Sequence, residues 1–348
     1  MINYGNSSIE KISVHHVGNK TNGEEIYFSK KELELNDDRL KEILISYFLK
    51  PFVKSEYYSF TSPEDDFTAN KVFNFATRIF DNSDTFHEAG IDIAQYLYDI
   101  SEHPNIKSGD FFVVYFNDII VDDEITNAIG IYKSENRQPF LKVARESGSF
   151  SLLYEDGINI DKLDKGCLIM DTERKIGYRI CSIDNSNKFA EALYWKDTFL
   201  QLKPFNDDFY FTKQVMAITK NYVVDQLPEE QEIERVEQID LLNRSADYFK
   251  KNENFNKRQF EEEVLQDEGL INSYRKYNNQ YMQEHDMDLA DTFEISPQAV
   301  KDQSRMFKTV LKLDKNFHIY IHGDTNLIRR GEEPDGRKYY KIYFDNEQ

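Results

Sequence analysis

The sequence predicts an α+β protein: an antiparallel sheet with helices in the N-terminal half, a helical middle region and a small strand-rich C-terminal module. Three observations carry this reading. Short aromatic and β-branched runs alternate with amphipathic stretches up to about residue 205, apolar stripes at helical spacing occupy residues 212–285, and strand-like runs return after Pro297. The domains expected are residues 1–205, 206–295 and 296–348, in keeping with a length of 348 residues.

Taken in order, residues 9–17 alternate as a strand and residues 29–35 form a connector. A helix follows from about Asp37, with Leu40, Ile43, Leu44, Tyr47 and Phe48 on one face, until Pro51 stops it. Residues 68–80 and 84–101 fit two more amphipathic helices, the second closed by His103-Pro104. Residues 111–116, continuous and aromatic or β-branched, read as a buried strand. Residues 128–133 and 140–144 flank Ser134-Glu135-Asn136-Arg137, a polar turn expected to join them as a hairpin. Further strands fit residues 149–154, 166–171 and 176–183.

In the helical region Val215, Ile218 and Tyr222 mark one stripe and Val236, Ile239, Leu242, Ala246 and Phe249 another, separated at Leu227-Pro228. Asn256 to Gln259 resembles a capping box opening a third helix, and residues 267–282 fit a fourth. Ser296-Pro297 supplies a cap and an N1 proline for a short helix to Phe307. Residues 310–313, 317–322, 326–330 and 339–344 then read as strands, with Pro334-Asp335-Gly336 as a turn.

Charge divides the chain more sharply than hydropathy does. Residues 301–341 hold ten Lys/Arg and six Asp/Glu, a surplus of +4, within a protein whose net charge is −20. Such a body repels nucleic acid and anionic membrane at long range, so any DNA contact must be local and salt-sensitive. The 26 Phe and 22 Tyr exclude a disordered acidic chain. Cys167 and Cys181 lie in apolar, strand-like surroundings and are expected as buried free thiols of a reducing compartment. The first residues lack the basic and apolar regions of a signal peptide, and the longest purely apolar run is residues 111–116, so neither a leader nor a membrane span is expected.

Catalytic signatures are sparse. There is no Gly-x-x-x-x-Gly-Lys-Ser/Thr, Gly-x-Gly-x-x-Gly, His-Glu-x-x-His, Cys-x-x-Cys pair or Gly-x-Ser-x-Gly, which argues against nucleotide-driven, common zinc and acyl-transfer chemistry and gives no reason to expect a cofactor. His318 and His322 would lie about 13 Å apart on a strand, too far for one ion. His15 and His16 point to opposite faces. Asp171, Glu173 and Lys175, with Asp122, Asp123 and Glu124, give the acid-and-lysine set of a Mg²⁺ nuclease, a spacing that chance supplies readily among 63 acids.

The basic residues form two groups. Lys133, Arg137 and Lys142 surround the turn at 134–136, and Lys308, Lys312, Arg329, Arg330, Arg337, Lys338 and Lys341 crowd the C-terminal strands. Protruding Lys/Arg suit phosphate contacts, and Tyr320, Tyr339 and Tyr343 are candidates for stacking on bases. The competing reading is that lysines blunt sheet edges while tyrosines close a core. The acidic run at 228–237 reads as a solvated face or as a protein-partner or dimerisation surface.

Whole phrases resemble a known family: His15-His16-Val17-Gly18-Asn19-Lys20, Tyr47-Phe48-Leu49-Lys50-Pro51-Phe52, Ala128-Ile129-Gly130-Ile131-Tyr132-Lys133-Ser134-Glu135-Asn136, Leu163-Asp164-Lys165-Gly166-Cys167-Leu168, Tyr194-Trp195-Lys196-Asp197, Gln238-Ile239-Asp240-Leu241-Leu242-Asn243-Arg244 and Leu313-Asp314-Lys315-Asn316-Phe317-His318-Ile319-Tyr320-Ile321-His322-Gly323. Nearly end to end, the chain is similar to the bacterial 37 kDa nucleoid-associated protein family. The resemblance implies a non-enzymatic, cytoplasmic protein that binds DNA at the nucleoid, with no cofactor and no defined active site. DNA is therefore the expected partner, directly or through a DNA-processing protein. A homodimer would let two weak basic faces act on one DNA molecule.

Overall fold

The structure, a computed structural model, describes residues 2–53, 56–61, 66–122, 124–146, 148–186, 194–285, 287–303, 307, 310–321 and 327–346. It is α+β, as the sequence predicts, and falls into two compact units, Met1–Phe205 and Asn206–Gln348. The first unit contains β1 (Ile2–Asn3), β2 (Ser8–Val17), α1 (Asp38–Leu49), β3 (Tyr57–Phe60), α2 (Lys71–Asp81), α3 (Phe86–Ile100), β4 (Gly109–Val121), β5 (Glu124–Ser134), β6 (Arg137–Glu146), β7 (Ser149–Ile158), β8 (Lys165–Met170), β9 (Arg179–Asp184) and β10 (Leu202–Pro204). One antiparallel sheet runs β1-β4-β5-β8-β9-β3-β10, with β2 also paired to β4.

Strand β4 shows why residues 111–116 carry no alternation. Phe111, Val113 and Tyr115 enter a core with Val72, Ala76 and Ile79 of α2 and Ile93 and Leu97 of α3, whereas Phe112, Val114 and Phe116 enter a second core with Tyr47, Phe48 and Leu49 of α1. The sheet is covered on both faces, so both sets of side chains are apolar. Asp37 caps α1, its carboxylate accepting from Arg39 N and Leu40 N, and the helix passes into a 3₁₀ turn at Lys50-Pro51. Only the last turn of α1 is buried; Leu40 is exposed, so the predicted stripe is longer than the surface it covers. Phe48 stacks on Tyr132 with ring centroids 4.3 Å apart. Cys167 and Cys181 are free and buried, and burial pushes the Cys167 thiol well up.

The expected hairpin across residues 134–136 does not form. Strand β5 pairs with β4 and β8, while β6 leaves the sheet to pair with β7 as a separate two-stranded ribbon. The Asp164 carboxylate explains the corner: it accepts from Glu135 N, Asn136 N and Asn136 Nδ2, each at 2.8 Å, and holds the chain in a bend. Under that bend lies a buried charge network. Lys133 Nζ is 3.3 Å from Glu135 and donates to Lys107 O, Lys165 Nζ is 2.6 Å from Asp184 and 4.0 Å from Glu135, and Tyr194 donates to Glu135 at 3.2 Å.

His15 and His16 diverge as expected. His16 faces Asp110 at the surface, whereas His15 is buried beside His87 and Phe28. Burial, with His87 adding to it, lowers the His15 pKa from 6.5 to about 4. Because the unfolded chain binds this proton more readily, the neutral ring's contribution is complete above pH 6.5 and is lost as pH falls toward 4. After allowance for solvent screening this amounts to about 2 kcal/mol. Denaturant titrations at both pH values should show His15→Asn with a flatter stability profile than the native chain; an unchanged slope refutes the assignment.

The second unit contains α4 (Asp208–Asn221), α5 (Leu227–Glu230), α6 (Arg235–Lys251), β11 (Asn254–Asn256), α7 (Lys257–Phe260), α8 (Glu268–Glu284), β12 (Thr292–Glu294), α9 (Pro297–Gln303), β13 (Val310–Leu313), β14 (Phe317–Tyr320), β15 (Ile328–Glu332) and β16 (Lys338–Ile342). The break expected at Leu227-Pro228 comes later. A π-helical turn, Tyr222–Gln226, carries α4 into α5, and Pro228 sits in the first turn of α5, where a missing N–H is tolerated. The chain leaves the helix at Gln231. Asn256 caps α7 through Gln259 N, but α7 is one turn long and gives way to a π-helical turn, Glu261–Leu265. The helices enclose Val215, Ile218, Tyr222, Leu242, Phe249, Phe260 and Tyr274.

Candidate nucleic-acid interface

Two hairpins close the second unit, and each has an apolar inner face. Leu311 and Ile321 are buried with Ile239 of α6, and Leu313, Ile319, Ile328 and Tyr340 pack against them. Alternation along a strand then sends the intervening side chains outward. On β15–β16 those are Arg329, Tyr339 and Lys341, followed by Tyr343, whose N–H bonds to Leu327 O and prolongs the pairing. The turn at Pro334-Asp335-Gly336 forms as expected, with Gly336 at φ 86°.

Arg329 lies directly opposite Lys341 across the ladder. Like charges in that position destabilise a hairpin, so their juxtaposition calls for a compensating role. Tyr343 supplies part of the compensation: its ring centroid is 5.6 Å from the Arg329 guanidinium and 5.0 Å from the Lys341 ammonium, within cation–π range. Tyr339 faces Gly331, and a Cβ on Gly331 would collide with the ring, so the glycine is what lets the tyrosine lie across the strands. Tyr339 and Tyr343 remain 44% and 40% exposed, enough ring surface to meet a base.

The remaining candidate residues differ in availability. On β13–β14, Lys312 is opposite His318 and shares its face with Tyr320, which is 60% exposed. Lys338 is exposed at the start of β16, but it is opposite Glu332 and in the register of Tyr340, not on the face of Arg329 and Lys341. Arg330 points to the inner face and lies 3.4 Å from Glu234, and Arg337 pairs with Asp335 at 2.7 Å. Lys308 lies outside the described residues, as does His322. Among the described residues, Lys312, Arg329 and Lys341 face outward and have no carboxylate partner.

The N-terminal basic group does not assemble as a patch. Lys133 is wholly buried, bound to Glu135 and Lys107 O, and burial lowers its pKa; this corrects its expected place among phosphate contacts. Arg137 pairs with Asp110, and Lys142 lies 3.7 Å from Glu155 on the ribbon. Lysine in an otherwise apolar strand beside Gly166-Cys167-Leu168 was the available sign that Lys133 faces inward.

The nuclease set is equally dispersed. Asp171 is half-buried with its carboxyl pushed up by burial, Glu173 is 3.9 Å from Arg179, and Asp122 pairs with Arg179 at 2.7 Å. Asp123 lies outside the described residues. No group of three or more His, Cys, Asp or Glu among the described residues could hold a metal ion, and no described helix is long and apolar enough to cross a membrane.

The family model that describes the nucleoid-associated protein YejK, NA37, matches residues 13–347. No match to a curated protein was found.

Proposed function

The chain belongs to the NA37 family of nucleoid-associated proteins, and from that premise we propose that it is a non-enzymatic protein of the cytoplasmic nucleoid that binds DNA directly through the outward faces of its C-terminal hairpins. The observation that carries this reading is the opposed Arg329–Lys341 pair with Tyr343 beside it, a fixed concentration of positive charge next to an aromatic face in an acidic protein. Phosphate oxygens relieve the repulsion between the two cations, and the tyrosines offer sequence-tolerant stacking to unpaired bases.

Lys312, Arg329 and Lys341 would then neutralise about three phosphates, for which log K falls against log salt with a slope near −2.7 on duplex DNA. Fluorescence anisotropy of labelled duplex in a salt series checks this, and absence of binding at ~50 mM salt, where phosphate contacts are strong, rejects direct binding. Pairing of two copies would add avidity on one DNA molecule.

A second reading is favoured by the exposed acids Glu229, Glu230, Glu232, Glu234 and Glu237 around the start of α6. They form a surface that a basic DNA-processing protein could engage, making the chain an adaptor. An adaptor shows no DNA affinity of its own in the same titration. Plasmid incubated with Mg²⁺ and pure protein should stay intact, whereas cleavage lost in Glu173→Gln would restore the nuclease reading.

A further inference from the structure

The β6–β7 ribbon has ten residues in each strand and joins no other strand among the described residues. An isolated two-stranded ribbon is marginal in water, the more so when it shows apolar side chains. Its two faces are unequal. On one, Phe140 leans over Gly157, where an added Cβ would sit 3.0 Å from the ring, and Lys142 meets Glu155, so that face is partly covered and leaves only Phe140 and Leu153 half-exposed. The other presents Leu141, Val143, Phe150, Leu152 and Tyr154 at 64–74% exposure.

Charge selects the occupant. Residues 137–158 hold three bases and three acids in a chain of net charge −20, so the ribbon is a neutral place where two acidic copies can approach without repulsion. A basic partner would gain nothing there. The open face is also self-complementary. Its rungs run Pro139/Asp156, Leu141/Tyr154, Val143/Leu152 and Arg145/Phe150. A two-fold axis through the middle lays apolar rungs on apolar rungs and brings Arg145 of each copy to Asp156 of the other. Neither Arg145 nor Asp156 has an ion-pair partner among the described residues. Pro139 removes a backbone donor from β6, which disfavours extension at that edge and leaves the face as the contact.

We propose that the β6–β7 ribbon is a pairing arm, through which two copies of this chain stack Leu141, Val143, Phe150, Leu152 and Tyr154 face to face. The proposal deepens the two-copy reading given above and rests on it. Ten residues of strand span roughly 34 Å, so the face covers on the order of 340 Å² per copy. That is below the ~800 Å² per partner of a standard interface, so the pair is weak and concentration-dependent.

Sedimentation equilibrium of the full chain tests the arm. Wild type should show a monomer–dimer equilibrium, Leu152→Glu should weaken it at least tenfold, and Arg145→Asp should weaken it several-fold. Adding Asp156→Arg to Arg145→Asp should restore the affinity, a recovery that misfolding cannot imitate. A wild type that stays monomeric to ~200 µM overturns the two-copy reading itself. A dimer left intact by Leu152→Glu, or an Arg145→Asp defect that Asp156→Arg does not repair, overturns the arm while leaving the two-copy reading standing.

Discussion

Glutamate at both Arg329 and Lys341 is expected to abolish DNA binding while the protein stays folded. The two side chains project from the outer face of β15–β16, away from the cluster of Ile239, Leu311 and Ile321 that seats the hairpin. Reversal changes the local charge by four units on a body already acidic, turning a short-range attraction into repulsion. Neutral glutamines at the two positions remove two phosphate contacts and should bring the salt slope from about −2.7 to about −0.9. The single reversal Arg329→Glu has the more diagnostic outcome. It replaces an opposed Arg–Lys pair with an opposed Glu–Lys pair, so stability should rise by roughly 0.2–1 kcal/mol while affinity falls. Opposite signs on stability and binding are what a site kept at a structural cost predicts. Tyr343→Ala should weaken single-stranded DNA by about 1–3 kcal/mol and duplex by much less, since only unpaired bases expose their faces. Duplex affinity and salt slope unchanged in the double reversal would remove the hairpin from the interface.

Elements whose signals are local were legible in the sequence. Asp37 before an apolar stripe and Pro51 after it bound α1, and Pro334-Asp335-Gly336 places the last hairpin. What a short sequence window cannot supply is the identity of distant partners. Nothing within residues 128–144 says that Asp164 will hold the bend at Glu135 and Asn136, so two adjacent strands read as a hairpin although each pairs elsewhere. The same blindness put Lys133 at the surface: the polar turn that follows it outweighs the apolar run before it, and the partners that accommodate its ammonium, Glu135 and the Lys107 carbonyl, are set by the fold. For the candidate interface, charge pointed to the C-terminal module, but strand register was needed to separate Arg329 and Lys341, which face out, from Arg330, which lies beside Glu234.

Glu135→Ala should destabilise the first unit by about 3–5 kcal/mol, because removing one partner from a buried ion network leaves charge without compensation. Lys133 and Lys165 are wholly buried, and the Glu135 side chain is 2% exposed. Lys165 keeps Asp184 at 2.6 Å, so the loss falls chiefly on Lys133, which keeps the Lys107 carbonyl as its acceptor among the described residues. Burial already lowers the Lys133 pKa from 10.5, and loss of the carboxylate must lower it further. The unfolded chain then holds the Lys133 proton more tightly than the folded one, so the variant's stability should recover as pH rises toward 10.5. Adding Lys133→Met should recover much of the deficit at neutral pH, since an apolar pair of similar volume does not require the ions it replaces. Thermal melts of the three proteins at neutral and alkaline pH check both expectations. A melting temperature unaffected by Glu135→Ala would mean that water reaches Lys133 and that the network contributes little. Glu135 also lies in the bend between β5 and β6, where its backbone N–H donates to the Asp164 carboxylate, so the buried network and the corner from which the β6–β7 ribbon leaves the sheet share this residue.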